Sequence, residues 1–323
     1  MVINLENIYE VLKLFGLDIK DIGIERINSG HINQTVKVTA DDGEYILQRI
    51  NRTVFGCPEK IMSNISLVCS CSERSLEFLN CNGRNFLEYD GSVWRMYKFV
   101  PHSVSYDTLD DQSYIYEFGR ILGRFHSDTK SIDINKLHVT IEDFHNTKKR
   151  IEKLLSLDKY HTCEFECLLV YAERLGAENM PIRTVHNDVK CSNVLFDKNT
   201  GSALMLIDLD TVMSGYYVYD IGDGIRSACL YNDRIDLARL KAFCRGYFSA
   251  MSDAPTAEEI FLGLVCVTAE LSARYLYDAY SGENYFTDKT AEQKIIRGEQ
   301  LLSLALSAAD NEKKIIMAIE DCI

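Results

Sequence analysis

The chain has 323 residues, of which 46% are hydrophobic and 26% are charged. These proportions are those of a folded globular protein, and they exclude a chain that is largely disordered. The formal net charge of -13 opposes binding to nucleic acid or to an anionic membrane surface, so neither is expected as a partner.

Cysteine usage indicates the compartment. The 11 cysteines are scattered apart from Cys69-Ser70-Cys71, which has no second pair and no histidine at the spacing of a zinc ligand. We therefore expect reduced thiols in a cytoplasmic protein. Residues 5–15 carry apolar side chains at helical spacing, which predicts an amphipathic helix rather than a signal peptide.

The first hundred residues are predicted to form a small β-rich unit. Short segments that alternate polar and apolar residues are separated by turns rich in Asn, Asp and Gly, which is the pattern of half-buried strands. The predicted strands cover residues 23–27, 34–39, 45–50, 85–89 and 92–100. A helix predicted from residue 58 to about residue 79 separates the third strand from the fourth, with Pro58 in its first turn.

Beyond Pro101 the pattern is mainly helical. Predicted helices cover residues 114–126, 142–155, 164–175 and much of 233–323, around a compact β-rich segment at residues 182–211. The longest apolar stretch, near residues 260–271, contains Thr268 and Glu270 and is too short to cross a bilayer. We expect a buried core helix there.

These elements predict an α+β protein of two lobes. A small β-rich N-terminal lobe, residues 1–100, is followed by a hinge near residues 99–102. A larger, mostly helical C-terminal lobe, residues 101–323, completes the chain. A cleft between two lobes is a natural ligand site.

The clearest chemical pattern lies on a predicted hairpin. Two apolar strands, residues 194–196 and 204–207, are joined by a loop rich in turn-forming residues. Asn193 and Asp208 would lie side by side at the open end of this hairpin, and Asp188 would lie in the loop just before it. A single Asp or Asn in a loop usually only stabilises a turn, but these three together favour a functional site.

This combination suits the transfer of a phosphoryl group from a nucleoside triphosphate. The triphosphate is strongly anionic, so a divalent cation must bridge its oxygens, and magnesium prefers carboxylate and amide oxygens. Asn193, Asp208 and Asp210 are the candidate metal ligands. Asp188 could accept the proton of the attacked hydroxyl, and Lys190 could neutralise charge on the transferred phosphate.

The residues from His186 to Asn193, followed by Asp208-Leu209-Asp210, resemble the signature of the aminoglycoside phosphotransferase and choline kinase superfamily. That superfamily has the protein-kinase-like two-lobed fold. His186 could either brace the loop or contact a substrate. Further segments, spread over most of the chain, are similar to the bacterial N-acetylhexosamine 1-kinases. These segments are residues 29–33, 45–48, 94–99, 144–147, 207–211, 274–276, Gly282 and 285–286.

The resemblance implies a kinase that uses ATP and Mg²⁺. Its acceptor would be the anomeric hydroxyl of N-acetylglucosamine or N-acetylgalactosamine, and its product the sugar 1-phosphate. The N-terminal lobe would bind the nucleotide, and the C-terminal lobe would carry catalysis and the sugar. Asp188 would be the catalytic base, and Asn193 and Asp208 would bind magnesium.

The resemblance also assigns binding residues. The turn that covers the phosphates would contain Gly30, His31 and Asn33. The hinge that meets adenine would consist of Lys98, Phe99 and Val100. The sugar would lie beside Asp188, against Phe144, His145, Arg274 and Tyr285.

One strand departs from the wider superfamily. Gln48 takes the position where a lysine usually reaches the phosphates, and it carries no charge; Arg49 should point to the opposite face of the strand. This departure is the one feature that favours a pseudokinase, and two alternatives to a sugar kinase stay open. One is a kinase for another small hydroxyl compound, such as an amino alcohol or an aminoglycoside. The other is a nucleotide-binding pseudokinase that serves as an interaction module.

Overall fold

The computed structural model describes residues 5–27, 33–52, 54–72, 74–157, 163–177 and 180–323. The predicted phosphate turn, with Gly30 and His31, lies outside these residues. Within them the chain forms an N-terminal part built on a β-sheet and a C-terminal part built mainly of helices. The predicted α+β class is therefore confirmed.

A five-stranded antiparallel sheet forms the N-terminal part, with the strand order β1-β2-β3-β5-β4. The strands are β1 (Gly23–Ile27), β2 (Gln34–Ala40), β3 (Gly43–Ile50), β4 (Leu87–Tyr89) and β5 (Ser92–Lys98). Because side chains alternate along a strand, the sheet has two apolar faces. Helix α1 (Leu5–Leu14) packs on the face that carries Leu47 and Met96, and helix α2 (Pro58–Cys71) packs on the face that carries Ile50 and Val93.

Helix α2 is shorter than the sequence predicts. It ends at Cys71, and the following residue, Ser72, has extended backbone. The N–H of Leu79 then donates to the carbonyl of Met96 at 2.8 Å, and the N–H of Lys98 donates to the carbonyl of Glu77 at 3.0 Å. This segment satisfies the backbone groups of β5 that the short strand β4 leaves unpaired, and that gain opposes a longer helix.

Most of the C-terminal part is helical. Its helices are α3 (Gln112–Thr129), α4 (Thr147–Leu155), α5 (Cys163–Ala177), α6 (Tyr217–Ala228), α7 (Leu237–Ala250), α8 (Ala257–Ser281), α9 (Ala291–Asp310) and α10 (Glu312–Glu320). The predicted helices at residues 114–126 and 164–175 lie within α3 and α5. The one predicted from residue 142 begins only at Thr147, where the Asn146 side chain accepts a hydrogen bond from the N–H of Lys149 and caps the helix.

Short strands complete this part of the fold. They are β6 (Ser103–Val104), β7 (Arg183–Val185), β8 (Val194–Asp197), β9 (Ala203–Leu206), β10 (Met213–Gly215), β11 (Leu230–Tyr231) and β12 (Arg234–Ile235). Strand β8 pairs with β9, with Val194 opposite Leu206, which confirms the predicted hairpin. Strands β7 and β10 pair beside it, so the segment between β7 and β8 is held at both ends.

Helices α6 and α8 approach closely at two glycines. A Cβ atom at Gly222 would lie 2.6 Å from the carbonyl carbon of Gly263, and one at Gly263 would lie 2.2 Å from the carbonyl oxygen of Val218. Only glycine allows this separation at either position. The contact fixes the position of Asp223 on α6 relative to Glu270 on α8, and both belong to the site described below.

Helix α8 contains the predicted core helix but, at 25 residues, extends beyond the predicted stretch, so the expectation that it is too short to cross a bilayer is wrong. By length and composition alone it could cross a membrane, but 78% of its most apolar window is buried inside the protein. A capping box of Thr256 and Glu259 begins the helix, and Gly282 ends it with left-handed backbone. Its hydrophobic surface therefore packs against other helices of the same chain.

Asn64 of α2 joins the two parts of the fold. Its side-chain amide donates to the carbonyls of His138 and Val212, each at 2.8 Å, and its oxygen accepts from the N–H of His138 at 2.8 Å. Leu209 and Val212 also pack into the apolar cluster around α2. These contacts fix the sheet against the segment that follows β9.

Candidate active site

The loop between β7 and β8 is anchored by one buried carboxylate. Asp220, in the first turn of α6, accepts hydrogen bonds from the N–H of His186 at 2.6 Å and of Asn187 at 2.7 Å. The Asn187 side chain donates to the carbonyl of Thr211 at 2.8 Å, and its backbone has a φ of 67°. Asparagine tolerates this left-handed conformation better than most residues, so the turn before Asp188 is rigidly defined.

His186 braces this loop. It is fully buried, and its Nε2 lies 2.9 Å from the carbonyl oxygen of Ile207. Its Nδ1 accepts a hydrogen bond from the N–H of Asp188 at 3.3 Å. The partners assign a neutral ring with the proton on Nε2. Of the two roles open for His186, the geometry supports bracing.

Asp188 carries an ionised carboxylate. Its Oδ2 accepts hydrogen bonds from Lys190 Nζ at 2.8 Å and Asn193 Nδ2 at 3.0 Å. Burial raises the pKa of Asp188, but the Lys190 ammonium and these hydrogen bonds outweigh burial and hold the pKa below its ordinary value. Among the described residues no group donates to Asp188 Oδ1, so one oxygen remains available.

Asp208 lies next to this group with its carboxylate unpaired. It has left-handed backbone with a φ of 62°, and the hydrogen bond from the N–H of Ile207 to the carbonyl of Asn193, at 2.9 Å, brings it beside Asn193. Burial and the neighbouring carboxylates of Asp210 and Asp188 raise the pKa of Asp208 to about 6. No donor among the described residues contacts its side chain.

These oxygens fit a hard divalent cation. Asn193 donates only through Nδ2, so its Oδ1 is available together with the carboxylate of Asp208. The described residues contain no group of three or more His, Cys, Asp or Glu side chains that could hold a metal by themselves. Magnesium characteristically takes one or two protein ligands and completes its shell with water and phosphate oxygens, and the pair suits that mode.

Asp210 faces the N-terminal sheet. One carboxylate oxygen is bonded by Arg95 Nη1, and the other accepts from Asn33 Nδ2 at 2.6 Å. Asn33 in turn accepts from the N–H of Asn51 at 3.0 Å. In this structure Asp210 links the two parts of the fold, while its predicted role as a metal ligand and the predicted phosphate contact of Asn33 stay predictions.

Arg95 is the cation that contacts Gln48 within the sheet. Strand register places the two residues directly opposite each other on β3 and β5, and Arg95 Nε donates to Gln48 Oε1 at 2.9 Å. Gln48 Nε2 donates to Thr35 Oγ1 at 3.1 Å. Arg95 is only 2% exposed. Sequence reasoning missed it, although an arginine within the apolar strand pattern of β5 was a visible signal.

Gln48→Ala tests this arrangement. We expect the free energy of unfolding to fall by about 1 kcal/mol, since Arg95 Nε loses its acceptor. The KM for ATP should change by less than about fivefold, because no charge is removed. Urea denaturation and steady-state kinetics measure the two effects. A large rise in the KM for ATP would contradict this interpretation and indicate that Gln48 contacts the phosphates directly.

A cavity of 930 Å³ opens beside Asp188, Lys190 and Asp208. Asn51 and Val54 line it from the N-terminal part of the fold. The residues predicted to hold a sugar also line it: they are Phe144, His145, Arg274 and Tyr285. The predicted hinge residues do not line this cavity; Phe99 N–H donates to the carbonyl of Glu44 at 2.9 Å, and the adenine contact of Lys98, Phe99 and Val100 stays a prediction.

Comparison with known proteins identifies the family. The sequence model of the APH phosphotransferase enzyme family matches residues 23–254, which include β1 to α7 and the whole loop around Asp188. The chain belongs to the phosphotransferase enzyme family.

Solved structures support the same fold for this phosphotransferase. A microcompartment-associated aminopropanol kinase has a TM-score of 0.70 at 14% identity, covering 97% of this chain and 98% of that chain. The amicoumacin kinase hAmiN, in complex with AMP-PNP, Ca²⁺ and Ami, has a TM-score of 0.67 at 13% identity, covering 94% and 93%. Choline kinase LicA from Streptococcus pneumoniae has a TM-score of 0.64 at 14% identity, covering 93% and 98%. At these identities the likeness shows the fold alone, and the predicted protein-kinase-like architecture is confirmed.

A curated relative has a higher sequence identity than the solved structures, but its alignment covers a smaller part of this chain. An uncharacterized kinase-like protein of Caenorhabditis elegans is 29% identical over 151 residues, which are 43% of this chain and 39% of that protein. The match thus spans about two fifths of the length of that relative.

Aromatic rings hold Arg274 in the wall of the phosphotransferase cavity. Its guanidinium lies 5.0 Å from the ring centroid of Phe144, 5.1 Å from that of Tyr285 and 5.8 Å from that of Phe286. Phe286 is itself stacked on Tyr275 at 3.8 Å. Contacts of this kind favour a cation over the ring faces and leave its N–H edge free to donate.

Asp278 fixes the loop that carries two of these rings. Its carboxylate accepts from the N–H of Tyr285 at 2.6 Å and of Phe286 at 2.9 Å. Lys294 of α9 pairs with the same carboxylate at 2.8 Å and donates to Asn284 Oδ1 at 3.2 Å. Sequence reasoning missed Asp278 and Lys294, because their meeting depends on how α8 packs against α9.

His145 connects the cavity wall to the loop before Asp188. Its Nδ1 lies 2.8 Å from Glu270 Oε2, and its Nε2 lies 3.2 Å from the carbonyl oxygen of Asn187. Both partners are acceptors, so only the doubly protonated ring satisfies them. Burial lowers the pKa of His145, but Glu270 outweighs burial and raises the pKa above its ordinary value. Glu270 was visible in the sequence as the one acid within the longest apolar stretch.

Proposed function

We propose that this phosphotransferase is a magnesium-dependent kinase that transfers the γ-phosphate of ATP to a hydroxyl of a small neutral sugar. The observation that carries the proposal is the group of available oxygens beside one large cavity. Asp188 and Asp208 both line that cavity. The side chain of Asn193 donates a hydrogen bond to Asp188, and its backbone carbonyl accepts one from Ile207, the residue before Asp208. A cavity of this size suits a nucleotide phosphate chain together with a small acceptor.

Each residue has a separate task in this mechanism. Asp188 Oδ1 accepts the proton of the acceptor hydroxyl as that oxygen attacks the γ-phosphorus of ATP, the bond from this phosphorus to the β–γ bridging oxygen breaks, and ADP leaves. Lys190 holds the Asp188 carboxylate in place from the other side. Asn193 Oδ1 and the Asp208 carboxylate would hold the magnesium ion, which neutralises charge on the phosphates when it is bound. Asp220 keeps the loop in the conformation that presents Asp188 to the acceptor.

The acceptor wall favours a neutral sugar. Arg274 projects into the cavity from its aromatic surroundings, and Arg226 and Arg297 line the same wall. Arg226 is paired with Asp223 at 2.7 Å, so Arg274 is the guanidinium that we propose to donate to sugar oxygens and to oppose a polycation such as an aminoglycoside. The aromatic rings of Phe144 and Tyr285 add an apolar surface for a sugar ring. N-acetylglucosamine and N-acetylgalactosamine are the proposed acceptors, at the anomeric hydroxyl.

A panel of acceptors tests the proposal. With ATP and Mg²⁺, we expect N-acetylglucosamine and N-acetylgalactosamine to give the sugar 1-phosphate, detected by phosphorus NMR. Ethanolamine, choline and kanamycin should give little or no product. The methyl glycosides should be inert, because the proposed nucleophile is blocked.

The panel also separates the competing interpretations. Turnover of a methyl glycoside would show attack by another hydroxyl and exclude a 1-kinase. Turnover of the amines alone would favour an amino alcohol or aminoglycoside kinase. Nucleotide binding without turnover of any hydroxyl compound would favour a pseudokinase.

A further inference from the structure

Glu270 has one carboxylate oxygen that receives no hydrogen bond from the part of the chain that the structure describes, although the residue is 1% exposed. Its Oε2 is bonded to His145 at 2.8 Å. Its Oε1 is buried and has no hydrogen-bond partner among the described residues; Arg274 Nη1 lies 3.6 Å away, beyond hydrogen-bond range. A buried acceptor that is left without a donor costs free energy, so an unused carboxylate oxygen requires a reason.

The role of Glu270 in bracing the catalytic loop does not explain why its Oε1 has no hydrogen-bond donor among the described residues. The bridge from Glu270 through His145 to the carbonyl of Asn187 uses Oε2 alone. Oε1 is the oxygen nearer Arg274, which the aromatic rings of the wall hold in place, and both Glu270 and Arg274 line the cavity. The structure therefore has a fixed acceptor and a fixed donor side by side on the wall.

We propose that Glu270 and Arg274 together recognise a second polar position of the acceptor, apart from the hydroxyl that is phosphorylated. Glu270 Oε1 accepts a hydrogen bond from a ring hydroxyl of the sugar, and Arg274 donates to an oxygen next to it. This proposal rests on the proposed function and deepens it, since it defines the acceptor class as a neutral polyhydroxy compound.

Charge favours a hydroxyl over an ammonium group at this position. Glu270 lies between two cations, the protonated His145 ring and the Arg274 guanidinium, so the three groups together carry a positive charge. A hydroxyl can donate to Oε1 and accept from Arg274 at the same time, which satisfies both groups. An ammonium group can only donate, and it would lie against Arg274.

The hydrogen bonds of His145 also link Glu270 to the loop that carries the proposed base, Asp188. One imidazole ring separates Glu270 Oε2 from the carbonyl of Asn187, the residue that precedes Asp188 in the loop. Since Asp188 and Glu270 line the same cavity, we expect a single sugar ring to present one hydroxyl to Asp188 and another to Glu270. A linear acceptor with one hydroxyl could reach only one of them.

A comparison of variants with substrate analogues tests the proposal. The substrates are N-acetylglucosamine and analogues that each lack one hydroxyl other than the anomeric one. For the parent protein we expect one analogue to lose about tenfold or more in kcat/KM, as expected when a buried charged group loses its partner. In Glu270→Gln this discrimination should fall to about threefold or less, because the glutamine oxygen stays with His145 and its amide faces the cavity.

His145→Gln is the matched control. It breaks the bridge to Asn187 but keeps the Glu270 carboxylate, so kcat should fall while the discrimination between the sugar and its analogue persists. The KM for ATP and the near-ultraviolet circular dichroism should be unchanged in Glu270→Gln. If that variant does not fold, Glu270→Asp takes its place; it retains the charge but withdraws the oxygen from the wall, and the same loss of discrimination is expected.

The possible outcomes distinguish failure of the proposed role of Glu270 from failure of the proposed kinase function. Full discrimination in Glu270→Gln, or no discrimination by the parent protein, would overturn the role of Glu270 while leaving the sugar kinase intact. The parent protein could instead phosphorylate ethanolamine or choline in preference to sugars, and Glu270→Gln could lose that activity. This result would show that Glu270 binds an ammonium group, and it would also overturn the proposed role of Glu270 in binding a hydroxyl. Absence of turnover with every hydroxyl compound would contradict the proposed function itself.

Discussion

Asp188→Asn is expected to lower kcat by at least about two orders of magnitude, the loss that follows removal of a positioned general base. The amide keeps the shape of the side chain, and its oxygen can still accept from Lys190 and Asn193. Folding and nucleotide binding should therefore be preserved, while no group remains to take the proton of the acceptor. Steady-state kinetics and ATP titration measure the two properties separately.

Asp253→Asn is a suitable control for this variant. Asp253 is an exposed aspartate that pairs with Lys130 at 2.9 Å, away from the cavity, so its loss should leave kcat near the parent value. Near-normal turnover in Asp188→Asn would rule out Asp188 as the base. A loss of nucleotide binding would instead indicate that Asp188 mainly organises the loop.

Removal of the metal should have the other large effect. We expect a chelator to abolish activity and magnesium or manganese to restore it. Asp208→Ala should lower kcat/KM for ATP by about three orders of magnitude or more, because a bound cation stabilises phosphate charge by several kcal/mol. Binding of ATP, measured by calorimetry with and without Mg²⁺, should lose its dependence on the metal.

Asp210→Asn provides the comparison for the metal site. If Asp210 acts only as the buried partner of Arg95, this variant should be less stable but should retain metal-dependent ATP binding. The same loss of metal dependence as in Asp208→Ala would make Asp210 a ligand. Full activity of the parent protein in metal-free buffer would contradict the magnesium mechanism altogether.

The hairpin around Asp188 and Asp208 was predictable because its determinants are local. Two apolar strands and a turn-rich loop are encoded within about twenty consecutive residues, and their pairing follows from the short connection. The α+β class was predictable for a related reason, since the alternation of polar and apolar residues changes visibly near Pro101. The resemblance to a known superfamily then connected the hairpin with Phe144 and Arg274, which lie far from it in sequence.

The end of α2 shows where local patterns mislead. Residues 72–79 have a composition that permits a helix, and the sequence predicts one. The unpaired backbone of β5 decides otherwise, because hydrogen bonds from Leu79 and to Glu77 satisfy groups that would be costly to leave buried and unpaired. That edge exists only once the sheet has formed.

Tertiary structure alone decided how buried charges are matched. The sequence by itself determined the fold class, the hairpin and the oxygen-bearing residues at its open end, all through short-range patterns and the family signature. It did not determine that Arg95 contacts both Gln48 and Asp210, or that one oxygen of Glu270 lies beside Arg274 without a hydrogen-bond donor among the described residues. The Arg95–Asp210 and His145–Glu270 pairs join residues more than a hundred positions apart, and no local pattern records which buried charge meets which until the helices and the sheet have packed.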